Sequence, residues 1–330
     1  MNAHYADHLS RQLFHDAIDH TPTRKGFGDG LVLAGDADPR VVALSADLVE
    51  STMIEPFAKK YPDRYVEIGV AEQNLVTVAS GMASEGLIPF TSSYAAFSPG
   101  RNWEQIRTTI CLNEQPVKLV GSHAGVSVGP DGATHQMLED IALMRVLPHM
   151  TVVVPCDEHE ARKATQVIAK TKQPAYLRLA REKTPIVTTV DSPFEFGKAH
   201  VWREGSDVTL IVAGPLAYEV CKAAELLAKE GIEAEIINSP WIKPLDNETI
   251  LKSLKKTGAV VTIEEAQAAG GLGGVIAELS SLKCVVPMER IGIQDAFGQS
   301  GTITELWEYY HLTAPYIAKA ATRAHERKIS

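Results

Sequence analysis

Glu72 is the residue whose type and position most resemble those of a catalytic acid or base in this sequence. It lies in residues 67–74, where a short apolar run ends at Gly69 and a helical pattern begins. A carboxylate in the first turn of a helix is favoured by the helix macrodipole, so a capping role explains Glu72 on spacing alone. Carboxyl groups also move protons in active sites, and the sequence leaves both roles open.

Two aromatic residues, Tyr94 and Phe97, follow the polar run at residues 91–93. Residues three apart lie on one face of a helix, so the spacing predicts that both rings share a helical face. Packing in the core is the simpler interpretation of such a pair.

A glycine-rich stretch separates His123 from residues 129–136, which contain Asp131 and His135. Glycine and proline around polar side chains predict an exposed loop after a strand, and α/β proteins place their chemistry on such loops. An alternative interpretation is that the two histidines bind zinc, but no third potential ligand has a suitable spacing in the sequence.

Two glycine-containing segments resemble phosphate-binding motifs. Gly28-Asp29-Gly30 is similar to the start of a magnesium-diphosphate motif, but residues 53–60 lack the asparagine that would complete the metal shell. No strand precedes these glycines, so a dinucleotide site is not expected, and we predict a turn or helix segment. Residues 270–274 precede a helix, where close packing is a simpler interpretation than a phosphate cradle.

Short apolar runs alternate with helical patterns, which is typical of parallel sheets covered by helices. In the first half the predicted strands are residues 41–45, 65–68, 117–120, 151–154 and 175–178, and the predicted helices include residues 71–84 and 102–111. After residues 181–206 the predicted strands are 208–212, 233–237 and 259–263, and the helices are 217–229, 247–254 and a segment from about residue 273. We place a boundary near residue 190, which gives two α/β domains, residues 1–190 and 191–330.

The overall composition excludes some classes of protein. The net charge of −9 and the pI of about 5.7 disfavour a nucleic-acid-binding protein, which carries a basic patch. The four cysteines have no metal or redox spacing, so we expect reduced thiols and a cytoplasmic protein. The polar N-terminus and the lack of a long apolar stretch predict neither a signal peptide nor a membrane span.

Taken together, these segments resemble the transketolase family. The resemblance rests on Thr23-Arg24-Lys25, Ser45-Ala46-Asp47-Leu48, Gly69-Val70-Ala71-Glu72-Gln73-Asn74, the Tyr94 and Phe97 pair, Ser122-His123, Asp131-Gly132-Ala133-Thr134-His135-Gln136, Arg145-Val146, Pro155-Cys156-Asp157 and Leu179-Ala180-Arg181. It extends through the second half to residues 290–301. It implies an α/β fold in which a parallel-sheet, thiamine-diphosphate pyrimidine-binding domain precedes a smaller mixed-sheet transketolase C-terminal domain.

The resemblance also implies a partner. Transketolases of full length carry an N-terminal domain that binds the diphosphate and its metal, and this sequence begins just before the pyrimidine-binding domain. The family therefore implies a split transketolase, in which a separate N-terminal subunit holds most of the Mg²⁺ (or Ca²⁺) site. Two chains of each type would form a dimer of heterodimers.

Four residues match cofactor-binding positions of the family. Glu72 matches the glutamate that hydrogen-bonds the pyrimidine nitrogen N1′ of thiamine diphosphate and favours the imino tautomer. Phe97 matches the residue that stacks on the aminopyrimidine, Tyr94 lines the same pocket, and Asp47 matches an aspartate close to the cofactor.

Six residues match substrate-binding positions. Arg24, Ser51, His123 and Arg181 match the cluster that binds the sugar phosphate, and two guanidiniums suit a dianion because they stay charged. Asp131 matches the residue that contacts the substrate C2 hydroxyl, and His135 one that contacts the reacting end. Glu72, His123 and His135 would be the catalytic residues.

The implied reaction transfers a two-carbon ketol unit from a ketose phosphate to an aldose phosphate, as in the pentose phosphate pathway. Two alternatives within thiamine enzymes are a 1-deoxyxylulose-5-phosphate synthase and the β subunit of a 2-oxo acid dehydrogenase. A third is a non-catalytic assembly protein that keeps the fold.

Overall fold

The computed structural model describes residues 5–15 and 17–329. Its strands are β1 (His20–Pro22), β2 (Val41–Ser45), β3 (Tyr65–Glu67), β4 (Ile88–Tyr94), β5 (Lys118–Ser122), β6 (Thr151–Val153), β7 (Ala175–Arg178), β8 (Lys183–Pro185), β9 (His200–Arg203), β10 (Val208–Val212), β11 (Ala234–Asn238), β12 (Trp241–Lys243), β13 (Val260–Gln267) and β14 (Met288–Ile293). Its α-helices are α1 (Thr23–Ala37), α2 (Glu55–Lys60), α3 (Glu72–Ser84), α4 (Trp103–Gln105), α5 (Asp140–Arg145), α6 (Glu158–Ala169), α7 (Ala217–Lys229), α8 (Asn247–Thr257), α9 (Leu272–Lys283), α10 (Ile303–Tyr309) and α11 (Ala314–Ile329). No helix in this part of the chain is long and apolar enough to cross a membrane.

Seven strands form the first sheet in the order β12-β6-β7-β5-β4-β2-β3, and all are parallel except β12, which pairs antiparallel with β6. Strand β2 shows how the sheet is covered. Val41 and Ala43 pack in one hydrophobic cluster with side chains of α1 and α6, whereas Val42 and Leu44 pack in another with side chains of α3. Alternate residues of one strand therefore reach opposite faces, and both faces are buried.

Five strands form the second sheet in the order β14-β13-β10-β11-β9, with β9 antiparallel to β11. Leu210 and Val212 pack with α7 and α11 on one face. Ile211 points the other way and shares a hydrophobic cluster with Val152 and Met144 of the first half. Apolar packing thus joins the two sheets, and the predicted fold class of two α/β units is confirmed.

The predicted strands at residues 41–45, 175–178 and 208–212 have the observed bounds. The other predicted strands start within one residue of the observed strands and end within four residues of them. Strand β4 was missed. Residues 91–93 are Thr, Ser and Ser, and these polar residues hid a strand whose interior is buried. The predicted helical face for Tyr94 and Phe97 is therefore wrong, because Tyr94 ends β4 and Phe97 lies in the turn after it.

Strand β12 belongs to the second half of the sequence but completes the first sheet through Trp241, which pairs with Val153. Pairing between strands distant in sequence leaves no local pattern, so this crossing was not predicted. The division of the chain near residue 190 stays a prediction.

Gly28-Asp29-Gly30 lies within α1, in agreement with the helix alternative predicted for it. Gly26 and Gly30 allow α1 to approach α6 closely, whereas Gly28 faces the backbone of Met53. A Cβ at Gly30 would lie 2.7 Å from the carbonyl oxygen of Arg162, and a Cβ at Gly26 would collide with the carbonyl of Glu158. Close packing against α6 and against Met53 accounts for these glycines.

A side chain of the protein itself fills the space at the turn formed by residues 270–274. The Glu264 carboxylate accepts hydrogen bonds from the backbone N–H groups of Leu272 and Gly273, both at 2.7 Å. Burial raises the pKa of Glu264 to about 7. Because a side chain already fills the start of α9, the packing interpretation of this turn is correct and a phosphate has no place there.

Because α1 and α6 are in close contact, a methyl group added at Gly30 should destabilise the fold. Gly30→Ala should lower the free energy of unfolding by about 1–3 kcal/mol, because the backbone of α6 must shift to admit the Cβ. Gly81→Ala is the matched control: Gly81 lies in α3 with open space around it, and the change should be neutral or stabilise by about 0.5–1 kcal/mol. Urea unfolding measures both, and equal stability of the two variants would contradict the packing account.

Candidate active site

Five strands of the first sheet deliver predicted site residues to one edge, because parallel strands end on the same side. Asp47 follows β2, Glu72 follows β3, Tyr94 ends β4, His123 follows β5 and Arg181 follows β7. The chain moves outward from β2 to β3 and then returns to place β4 on the other side of β2. Such a switch point opens a crevice at the carboxyl ends of the strands, which is where α/β proteins bind ligands.

Glu72 is the first residue of α3, and only 1% of it is exposed. Its Oε1 accepts a hydrogen bond from the Ser93 hydroxyl at 3.2 Å, and its Oε2 accepts one from Arg101 Nη1 at 2.8 Å. The Asn102 amide donates to the Glu72 carbonyl at 2.8 Å. A buried carboxylate needs such donors, and the helix N-terminus also favours its charge.

Tyr94 and Phe97 form an aromatic group with both predicted histidines. The Tyr94 ring stacks on His123 with centroids 3.9 Å apart, and it lies 6.2 Å from the Phe97 ring. His135 meets Phe97 edge to face at 5.4 Å. Tyr94 and Phe97 are only partly buried, so the group borders the crevice.

His123 is buried and adopts a positive φ of 58°, an uncommon backbone conformation for a residue other than glycine. Its Nδ1 lies 2.9 Å from the Ser122 hydroxyl, and its Nε2 lies 3.4 Å from the Ser51 hydroxyl, which in turn contacts Tyr94 Oη at 2.8 Å. Burial, followed by the charges of Arg24 and Arg181, lowers the pKa of His123 to about 3. The ring is therefore neutral at physiological pH.

Arg24 and Arg181 are 157 residues apart but lie side by side, because β1 pairs antiparallel with β8. Thr23 strengthens this junction: its hydroxyl accepts from the Ala180 N–H at 2.9 Å. Arg24 donates to the carbonyls of Ser51 at 2.6 Å and of Arg181 at 3.2 Å. Burial and the neighbouring Arg181 charge lower the pKa of Arg24. The Arg181 guanidinium donates to the Val128 carbonyl at 2.7 Å and lies close enough for its charge to act on Arg24. Two neighbouring guanidiniums of like charge favour a nearby anion.

Asp47 and Asp131 do not join this cluster by direct contact. Both are exposed, and neither side chain hydrogen-bonds or ion-pairs with another described residue. The backbone around Asp47 is nevertheless fixed: its φ is 59°, and its N–H donates to Glu67 Oε1 at 2.7 Å. Glu67 also accepts from the Gly69 N–H at 2.8 Å, so it joins the turns after β2 and β3.

Residues of the second half of the chain hydrogen-bond to the segment between His123 and Gln136. Sequence analysis did not predict these contacts. The buried Glu265 carboxylate accepts hydrogen bonds from the Ser127 N–H at 2.7 Å, from the Ser127 hydroxyl at 2.9 Å and from Trp307 Nε1 at 2.9 Å. The Gln136 amide donates to the carbonyl of Gln299 at 2.9 Å. Burial raises the pKa of Glu265.

Arg101 and Ser93 are the other residues that sequence analysis did not assign to the site. Ser93 lies next to the carboxyl end of β4, so recognition of that strand would have placed it near the site. Arg101 follows Phe97 by four residues in the turn after β4, and its contact with Glu72 is tertiary.

No group of three or more His, Cys, Asp or Glu side chains among the described residues is arranged to hold a metal ion. The zinc alternative for His123 and His135 therefore has no support in this part of the chain.

The residues at the crevice suit a flat heterocycle with a nitrogen to be hydrogen-bonded. A buried carboxylate, Glu72, lies beside the partly exposed ring of Phe97, and these supply an acceptor and a stacking surface. The aminopyrimidine of thiamine diphosphate fits that pair of groups.

Two family models match this chain: the pyrimidine-binding domain of transketolase at residues 19–187 and the C-terminal domain of transketolase at residues 197–317. The chain belongs to the transketolase family.

Its relatives include subunits of divided transketolases. The 6-deoxy-6-sulfo-D-fructose transketolase subunit SqwH of Clostridium sp. strain MSTE9 is 39% identical over 96% of this chain and 98% of its own. One subunit of the apulose-4-phosphate transketolase of Phocaeicola vulgatus is 36% identical over 90% of this chain and 96% of its own. A solved split gene transketolase, described as an inactive beta4 tetramer, is 41% identical with a TM-score of 0.88 over 93% of this chain and 99% of its own.

A 1-deoxy-D-xylulose-5-phosphate synthase of Trichormus variabilis is also related, with 36% identity over 92% of this chain but only 48% of its own length. Sequence identity therefore gives the family and not the reaction.

The lowered pKa of His123 predicts an acid sensitivity. Between pH 6.5 and about 3 the unfolded chain protonates this histidine and the folded chain does not. This group therefore lowers the free energy of unfolding by up to about 1.4 kcal/mol for each unit that the pH decreases. His123→Asn keeps a neutral residue that tolerates positive φ and should show a flatter decline. Urea unfolding between pH 4 and 6.5 measures it.

The control for that experiment is His15→Asn, because His15 is exposed and its side chain makes no hydrogen bond with the described residues. This control should decline as the unaltered chain does. Parallel curves for His123→Asn and the unaltered chain would show that His123 titrates normally.

Proposed function

We propose that this chain is the C-terminal subunit of a thiamine-diphosphate-dependent transketolase that acts with a separate diphosphate-binding subunit. The reaction is transfer of a two-carbon ketol unit from a ketose phosphate to an aldose phosphate. One observation carries the proposal: the buried Glu72 carboxylate and the Arg24–Arg181 pair lie along the same edge of the sheet, with the aromatic group between them.

Glu72 would hold the cofactor's pyrimidine through nitrogen N1′, with Phe97 stacked on the ring and Tyr94 beside it. When bound, thiamine diphosphate supplies the electron sink for cleavage and formation of the carbon–carbon bond. Glu72 would share a proton with N1′ and would thereby favour the imino tautomer of the aminopyrimidine. Its burial excludes water that would compete for this hydrogen bond.

Arg24 and Arg181 would bind the phosphate of the sugar, and the Ser51 hydroxyl and the neutral His123 ring would add hydrogen bonds rather than charge. His135 touches Phe97 and would contact the reacting end of the sugar, where it can move a proton. Asp131 and Asp47 are exposed at the same edge and free to bond to the sugar and to the cofactor, respectively.

The diphosphate and its Mg²⁺ or Ca²⁺ would be held mainly by the partner subunit. Support comes from the relatives, which are named as subunits or as a split gene product, and one of which is described as an inactive tetramer of beta chains. A dimer of heterodimers in the cytoplasm is the assembly we propose.

The alternatives differ in their substrates. The arginine pair disfavours a 2-oxo acid dehydrogenase, whose substrates carry no sugar phosphate. A non-catalytic assembly protein has no need for a buried Glu72 beside partly exposed aromatic rings and two adjacent arginines. The synthase alternative shares the phosphate-binding requirement, and its distinguishing substrate is a 2-oxo acid rather than a ketose donor.

The relatives' names mention a sulfosugar and apulose 4-phosphate, so the pentose phosphate pathway is one of several settings for this chemistry. Phosphate and sulfonate are both anions that two guanidiniums can bind.

Reconstitution tests the proposal. The chain is mixed with a diphosphate-binding transketolase subunit, Mg²⁺, thiamine diphosphate, xylulose 5-phosphate and ribose 5-phosphate, and sedoheptulose 7-phosphate is measured. We expect product only when both chains are present. Product from pyruvate and glyceraldehyde 3-phosphate instead would favour the synthase. No product from these substrates, nor from 6-deoxy-6-sulfofructose or apulose 4-phosphate as donor, would favour the non-catalytic alternative.

Arg181→Ala should act on binding of the phosphorylated sugar. Loss of one guanidinium is expected to raise KM for xylulose 5-phosphate by about tenfold or more, because charge-assisted bonds to an anion are strong, while kcat changes less. Unphosphorylated xylulose is the internal control, since its KM does not depend on this arginine. An equal effect on both sugars would remove Arg181 from the phosphate site.

A further inference from the structure

Arg101 makes both of the contacts that the proposed function gives to the aminopyrimidine. Its Nη1 lies 2.8 Å from Glu72 Oε2, and its guanidinium carbon lies 4.8 Å from the centroid of the Phe97 ring. A guanidinium is planar, donates hydrogen bonds in its plane and stacks on aromatic faces. In these three respects it resembles the ring that Glu72 and Phe97 would bind.

We infer that Arg101 occupies the pyrimidine site of the free chain and is displaced when thiamine diphosphate binds. This inference rests on the proposed function, and it adds a residue that sets how tightly the cofactor is held.

Access to Glu72 supports the inference. With Arg101 in place, only 1% of the Glu72 side chain is exposed, so no ligand can reach the carboxylate without moving a neighbour. Ser93, the other donor to that carboxylate, lies in the buried interior of β4. Arg101 has 49% of its side chain exposed and is the neighbour that can swing into solvent.

The local backbone explains why Arg101 lies there. Its N–H donates to the Phe97 carbonyl at 3.0 Å, which brings residues four apart together. Gly100 permits this turn, because a Cβ at that position would collide with the carbonyl of Ala96. Asn102 then joins the turn to the Glu72 carbonyl at 2.8 Å. The backbone of Arg101 is thus fixed beside Glu72, while its long side chain is free to rotate away.

The expected size of the effect is modest. An ion pair with one half-exposed partner is weaker than a buried one, and we expect it to change the cofactor's dissociation constant by about three- to tenfold. That is small enough for the cofactor to displace Arg101 and large enough to measure.

The test compares thiamine diphosphate binding by three forms of the reconstituted two-subunit complex in Mg²⁺, followed by tryptophan fluorescence or calorimetry. Arg101→Met keeps the length of the side chain and removes its charge. Arg107→Met is the matched control, because Arg107 is exposed on the following π-helix (Ile106–Cys111) and its side chain contacts neither Glu72 nor Phe97. Thermal unfolding of each variant checks that the fold is intact.

We expect Arg101→Met to bind thiamine diphosphate about three- to tenfold more tightly than the unaltered complex, and Arg107→Met to bind as the unaltered complex does. Equal or weaker binding by Arg101→Met would overturn the inference, since Arg101 would then be neutral or would help to hold the cofactor. If no form of the complex binds thiamine diphosphate, the proposed function itself fails and the inference fails with it.

Discussion

A charged carboxylate that is almost wholly removed from water has to be compensated, and the compensation of Glu72 organises this site. The start of α3 favours the charge, Ser93 on β4 donates to one oxygen, and Arg101 donates to the other. These groups come from the start of α3, from β4 and from the turn after β4. Glu72 is therefore buried because β3 and β4 flank β2 and end at the same edge of the sheet.

The anion-binding side of the crevice depends on a second constraint, the pairing of β1 with β8. That short ladder and the Thr23–Ala180 hydrogen bond bring two arginines together from opposite ends of the first half. The segment that carries Asp131 is held by residues of the second half of the chain, because Glu265 accepts hydrogen bonds from Ser127 and from Trp307. The second half thus has a structural role at the site in addition to its own packing.

The exposed loop predicted after His123 is right only in part, because residues 124–129 are buried and Val126–Asp131 forms a 3₁₀-helix. Most strand positions and the first-turn location of Glu72 were predictable, since each leaves a pattern in neighbouring residues. Strand β4 did not, because Thr91, Ser92 and Ser93 are polar although they are buried in a central strand. Contacts between distant segments were also beyond local reasoning. The Arg101–Glu72 ion pair and the Glu265–Ser127 bonds exist only once the sheets are assembled.

The central claim is that Glu72 shares a proton with the pyrimidine of a cofactor whose diphosphate is bound by another chain. Turnover of the reconstituted complex with Glu72→Gln tests it most directly, with Glu85→Gln, an exposed residue after α3, as control. We predict that kcat falls by about 100-fold or more for Glu72→Gln, while thermal unfolding stays cooperative and the control is unaffected. Near-normal turnover by Glu72→Gln would contradict the account.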